Sequence, residues 1–133
     1  MTKPTLLFTC THNASRSALG AALARQQAGD RAVVLSAGVD PAETASAGTI
    51  ASLAEIGIDD SAHVPTKVAE ELVRTATVVI SMKPGLDLPQ VDGVTHETWD
   101  LPDPQGWEAP AIRPLRDHIA SQVEELLDRV APR

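Results

Sequence analysis

The amino-acid sequence predicts an α/β fold: one domain over residues 1–133, with a four-stranded parallel sheet flanked by helices on both faces. Three observations lead there. Short apolar runs alternate with segments of helical spacing along the chain, the order that lays helices over a parallel sheet. The runs are apolar throughout rather than at every second position, as strands covered on both faces require. At 133 residues the chain can close one real core, and it shows no repeat, linker or low-complexity tract.

Each element has its own signal. Leu6, Leu7 and Phe8 make the first strand, which ends at Thr9. From Ser17 onward, Leu19, Ala22 and Leu23 follow helical spacing, and Gly29 supplies a C-terminal stop. Residues Ala32 to Gly38, AVVLSAG, read as a second strand running into a glycine turn. Ile50, Leu53 and Ala54 give the stripe of another helix, closed by Gly57. A shorter helix is expected after Thr66, through Val68 and Leu72. TVVI, Thr77 to Ile80, is a third buried strand, and VTHETW, Val94 to Trp99, a fourth and weaker one. The stretch DLPDPQGWEAPAIRP is rich in Pro and Gly and reads as a surface loop. Ile119, Val123, Leu126, Leu127 and Val130 then form one apolar face of a last helix. Its acidic end, VEELLDR, reads as a solvated face.

Composition narrows the function. Lys and Arg total 11 against 18 for Asp and Glu, so the net charge is -7, and no basic run stands out. That argues against nucleic acid or an anionic membrane as a main partner, since both need a basic footprint. A small anion held by local groups stays open. With 1 cysteine no internal disulfide forms, and neither a charged-then-apolar leader nor a membrane-length apolar segment is evident. The expected setting is a reduced cytoplasm. With Phe8, Trp99 and Trp107 as the only aromatic residues, the core must be aliphatic.

The lone cysteine marks the chemistry. Cys10 follows the first strand directly, and ligands of such sheets bind outside the carboxyl ends of the strands. Thr11, His12, Asn13, Ala14 and Ser15 separate it from Arg16. A loop of that length between strand and helix can curl its N–H groups inward, and with the helix dipole this forms a nest for a tetrahedral oxyanion. Arg16 can close the ring with a bidentate fork that Lys could not supply. The same donors favour a thiolate at Cys10, whose pKa is expected to be depressed, and the Ser17 hydroxyl can donate to it. Asn13 is the loop residue most tolerant of a left-handed backbone, and its amide can brace the loop. His12 fits a positioning role, because a thiolate held by a nest needs no base.

Displacement at an oxyanion also needs a proton for the leaving group. The fourth strand opens into a loop on the same side of the sheet, and Asp100 and Asp103 are both candidates there. An Asp before Pro is held extended, which suits a side chain projected over a pocket. His63, His96 and His118 lack ligand spacing, so no metal site is expected. Trp107 reads as an anchor for its loop rather than a pocket wall.

These residues resemble the low-molecular-weight tyrosine phosphatase fold and, within it, the arsenate reductases. CTHNASRS is similar to that group's C-x5-R-S loop, LSAG to its second-strand turn, EIGID to the end of the next helix, and DLPDP to its acid-bearing loop. By position the resemblance implies Cys10 as nucleophile, Arg16 as oxyanion clamp, Asn13 as loop brace and Ser17 as thiolate donor. It also implies Asp103, directly before Pro104, as general acid in preference to Asp100. Phosphatases of this type usually carry Gly at the place of His12, often a second Cys at that of Ser15, and aromatic residues beside the acid, where Gln105 and Gly106 stand here. HNASRS is closer to the reductase version. Thioredoxin-coupled reductases, however, place two more cysteines in the region of Met82 to Leu88, and this chain has none there. The resemblance therefore implies an external thiol, mycothiol or glutathione, as co-substrate with no bound cofactor, and a mycoredoxin or glutaredoxin to complete the cycle. Phosphoester hydrolysis and silent anion sensing are the alternatives.

Overall fold

In the computed structural model, which describes residues 3–132, the strands are β1 (Thr5–Cys10), β2 (Val33–Gly38), β3 (Val78–Ser81) and β4 (Thr95–Thr98). They form one parallel sheet in the order β2-β1-β3-β4. The chain leaves β1 toward β2 on one side and later adds β3 on the other, so β1 sits at the reversal of strand order. The carboxyl end of a strand at such a reversal is where an open α/β sheet leaves a crevice. Cys10 is its last residue.

The helices are α1 (Arg16–Ala28), α2 (Ala47–Ala54), α3 (Glu70–Arg74) and α4 (Ala109–Val130). The two faces of the sheet are covered unequally. Leu6, Phe8, Val78 and Ile80 point to the face where α1, α2 and α4 supply Leu19, Leu23, Leu53, Ile112, Ile119 and Leu126. Leu7, Ala37 and Val79 point to the other, closed by Val68, Val73 of α3 and Leu88. The aliphatic core is as composition demands. Its one aromatic pair is Phe8 with Trp99, edge to face at 5.9 Å. On α1, a side chain at Gly20 would come within 2.7 Å of the Phe8 ring, so the glycine sets how closely helix and strand approach.

Two expectations need correcting. The helix expected after Thr66 starts only at Glu70, because residues 66–68 are engaged by the end of β2. Gly38 N–H donates to Thr66 O, and Val68 N–H donates to Gly38 O. The stretch read as a loop through Pro114 is helical from Ala109. Pro110 falls in the first turn, where a missing N–H loses nothing. Pro114 lies inside the helix, and burial of Ile112 and Leu115 holds that turn in place. Gly29 does end α1, with φ 57° and its N–H on Arg25 O.

Candidate active site

The loop from Cys10 to Ser15 is fixed from outside. Its six successive carbonyls, Cys10 to Ser15, accept from the N–H groups of Val39, Asp40 and Ala42, His63 Nε2, and the N–H groups of Ser46 and Leu19, at 2.7–3.2 Å. With the carbonyls turned outward, the N–H groups face the other way. Those of His12, Ala14, Ser15 and Arg16 have no backbone partner among the described residues. This is a nest of donors, continuous with the first turn of α1. Gly38 allows it to close: a Cβ there would lie 2.7 Å from Thr11 O and 2.8 Å from Asn13 N.

Asn13 is the keystone. It is the one non-glycine residue with positive φ, 52°, among the described residues, and it is fully buried. Its Oδ1 accepts from Thr66 N–H at 2.9 Å, while Nδ2 donates to Ser17 Oγ at 2.8 Å. Ser17 Oγ also lies 3.0 Å from Cys10 Sγ, where its own proton is free to donate to a thiolate. Asn13 N–H adds a second donor to the sulfur at 3.2 Å. The Asn13 carbonyl accepts from His63, so His63 Nε2 carries a proton. No spacing in the sequence singled out His63. Next to it Asp60 is half-buried, and this burial raises its carboxyl pKa in spite of the nearby His63 and Arg25 charges.

The other loop residues fall around this centre. Thr11 and His12 are partly exposed, and His12 Nδ1 meets the Asp40 carbonyl at 2.9 Å, away from the sulfur. Ser15 Oγ pairs with Ser46 Oγ at 2.7 Å, and Ala14 is buried. Arg16, 8% exposed, donates from Nη1 to Leu101 O at 3.1 Å, and its Nη2 lies 3.9 Å from Asp103 Oδ2. Asp103 thus faces the loop, with its other oxygen held by Gln105 N–H at 3.0 Å. Asp100 is exposed and makes no hydrogen bond or ion pair among the described residues. Of the two acids, Asp103 is the one brought to the site.

An oxyanion seated in the nest would have the sulfur beneath it, the guanidinium beside it and a carboxyl group at the rim. Beyond that rim lies an open groove of about 550 Å³ between the start of α2 and the acid loop. Trp107 lines it and is 38% exposed. Its backbone anchors the loop: Trp107 N–H donates to Pro104 O, and its carbonyl lies against Gly48, where a Cβ would be 1.9 Å away. No cluster of three or more potential metal ligands occurs among the described residues, and no helix is long and apolar enough to cross a membrane.

Residues 5–87 match the family profile described as low molecular weight phosphotyrosine protein phosphatase. The chain belongs to this family. Among its phosphatase-family relatives, arsenate reductase 1 of Staphylococcus epidermidis is 29% identical over 98% of this chain and 100% of its own. The thioredoxin-dependent arsenate reductase of Corynebacterium glutamicum superposes with a TM-score of 0.84 at 29% identity, over 96% of this chain; the match spans 62% of that longer chain. An arginine phosphatase from Geobacillus stearothermophilus superposes at 0.82, with 28% identity, over 95% of this chain and 92% of its own. Members of one low-molecular-weight phosphatase scaffold thus include both kinds of oxyanion enzyme.

Proposed function

We propose that this protein is a thiol-dependent arsenate reductase of the arsenate–thiol transferase type. The observation that carries the reading is the sole cysteine, two donors on its sulfur, at the centre of an anion nest. Cys10 attacks arsenate, Arg16 and the loop N–H groups hold the remaining oxygens, and Asp103 protonates the departing oxygen, which leaves as water. Arsenic is still As(V) in the Cys10 adduct. An external low-molecular-weight thiolate then attacks arsenic, and the electron pair of the Cys10–As bond returns to the Cys10 sulfur. Reduction follows when a redoxin thiolate attacks the sulfur of that thiol–arsenic adduct. A disulfide forms, the electron pair of the S–As bond passes to arsenic, and arsenite leaves as As(III).

Mycothiol or glutathione is the co-substrate class, with a mycoredoxin or glutaredoxin as partner, in a reducing cytoplasm. Reduction of arsenate in the family's staphylococcal relative supports the substrate, and the lack of a second cysteine in this chain supports an outside thiol. A second reading, phosphoester hydrolysis, is favoured by one observation, an open groove lined by Trp107 beside the acid loop, where an aromatic ester could lie.

The test is arsenite release by the purified protein. Thioredoxin alone is expected to sustain none, whereas mycothiol with mycoredoxin, or glutathione with glutaredoxin, restores turnover. Brisk hydrolysis of p-nitrophenyl phosphate, with no arsenite from any thiol–redoxin pair, would hand the site to the phosphatase reading.

A further inference from the structure

The nest is built from donors that hold an anion, yet carboxylates stand around its rim. Asp40 N–H donates to Thr11 O, and the Asp40 carbonyl accepts from His12 Nδ1, so residue 40 lies against the oxyanion loop. Glu43 follows Ala42, whose N–H donates to His12 O. Glu108 lines the groove together with Ser46, and Ser46 Oγ reaches Ser15 Oγ of the loop at 2.7 Å. Asp40, Glu43 and Glu108 are all exposed. None of them forms an ion pair among the described residues. Asp103 adds its own carboxyl group, 3.9 Å from Arg16.

The arginines that could neutralise this rim are committed elsewhere. Arg25 and Arg31 donate to the carbonyls of Val34, Gln27 and Ala131. Arg74 pairs with Glu70, Arg113 and Arg116 with Glu55, and Arg129 with Glu97. Arg16 is buried within the site itself. Lys67, on the Val39 carbonyl, and Lys83, just past the end of β3, offset part of the charge and leave the rim negative. The protein as a whole carries a net charge of -7 and supplies no compensating field. A compact oxyanion meets this rim only on its way in. Once seated, all of its charge lies among the loop N–H groups and beside Arg16. A substrate whose body is anionic leaves that further charge outside, among carboxylates and without a donor.

We propose that Asp40, Glu43 and Glu108, with Asp103, form a charge filter that reserves the nest for compact inorganic oxyanions and turns away esters and proteins with anionic bodies. The proposal rests on the oxyanion nest of the function proposed above, and it is measurable without turnover. A carboxylate roughly 10 Å from a bound dianion weakens its binding by about fourfold in unscreened water. A screening length of about 8 Å at physiological salt removes most of that effect. The filter therefore gives the salt dependence an unusual sign: an anion binds this protein more tightly as ionic strength rises.

Titration calorimetry with inorganic phosphate, on the full-length protein at fixed pH and rising sodium chloride, tests the sign. The expected result is a Kd that falls by about threefold from low to physiological salt. The combined variant Asp40→Asn, Glu43→Gln, Glu108→Gln should bind phosphate more than about tenfold tighter at low salt, with the gap closing as salt is added. Selectivity is read with phenyl phosphate, 4-carboxyphenyl phosphate and 4-(aminomethyl)phenyl phosphate, which share phosphoryl group and ring and differ in body charge. On Cys10→Ser, which holds esters without turnover, the carboxyphenyl ester should bind weakest and the aminomethyl ester tightest at low salt. In the combined variant that order should flatten. The salt trend and the ester order are read without any rim substitution, so they stand even if the combined variant folds poorly. Phosphate binding that weakens with salt overturns the proposal, as do equal affinities for the three esters. A well-folded combined variant with unchanged phosphate affinity overturns it too. No phosphate binding at any salt removes the nest and the filter together. Failure of the reductase reading alone is distinct: no arsenite with any thiol, while the salt trend and the ester order persist.

Discussion

The oxyanion loop, Cys10–Ser15, and the acid loop, Asp100–Glu108, meet across Arg16 yet are held in opposite ways. Every carbonyl of the first is bonded, Asn13 at its centre is fully buried, and its partners other than Leu19 come from residues 39–46 and 63–66. The second is largely exposed: the Asp103 side chain is 45% accessible, and its links to the rest of the site are the Arg16 contacts to Leu101 and Asp103. Anion recognition needs donors fixed before the anion arrives, since reorganising them would consume the binding energy. Proton delivery needs a carboxyl group that reaches solvent to be reloaded between turnovers. The difference in burial therefore matches the difference in task proposed for each loop.

Substitutions separate the two halves. Cys10→Ser is expected to abolish every turnover while the protein still gains thermal stability from phosphate, since the nest N–H groups remain; a melting series with phosphate checks it. Asp103→Asn should slow expulsion of the leaving oxygen by about 100- to 10,000-fold, the usual weight of a general acid, with oxyanion affinity nearly unchanged. Asp100→Asn should behave as the unaltered protein, and equal losses at both positions would break the distinction between them. Gly38→Ala drives a Cβ against the Thr11 and Asn13 backbone, so it should weaken phosphate binding by more than about tenfold, roughly what one lost hydrogen bond amounts to. Ser17→Ala removes one donor to the sulfur, and alkylation of Cys10 at neutral pH should slow by roughly tenfold.

The smallest effect concerns stability alone. Glu55, at the end of α2, takes Arg113 and Arg116 of α4, and the Arg113 hydrogen bond is the main cause of its lowered carboxyl pKa. A lowered folded-state value means that the stabilisation is present above the ordinary value of 4.5 and is lost as pH falls through the folded one. Glu55→Gln should thus lower Tm at neutral pH, and the gap should close in acid. Activity should not follow.

The sequence made the sheet legible because its strands are short, unbroken apolar runs; all four were placed to within a residue or two. Cys10, Asn13, Arg16 and Ser17 were legible because they are neighbours along the chain, and the loop geometry follows from spacing. Asp103 was separable from Asp100 only through the family resemblance, since the 3.9 Å approach to Arg16 crosses the fold. His63 was hidden for the same reason, as its bond to Asn13 spans 50 residues. The start of α4 was missed because Pro and Gly signal loops locally, whereas burial of Ile112 decides the matter from a distance. Trp107 was read as an anchor; its backbone is one, and the residue also lines the groove.

The outward bonding of the oxyanion loop has a consequence for folding. Its bonds to Val39, Asp40, Ala42, Ser46, His63 and Thr66 bridge gaps of up to 53 residues, so the loop cannot form by local sequence alone. It must wait until β2, α2 and the segment before α3 have arrived, and contacts of such separation come late in folding. Until then Cys10 is an ordinary thiol on an open chain, exposed to any oxidant or alkylating agent present. An oxyanion that binds only the finished loop would draw that last step to completion and shorten the interval of exposure. Phosphate or arsenate bound there would serve the newborn chain as a folding ligand that shields its single sulfur.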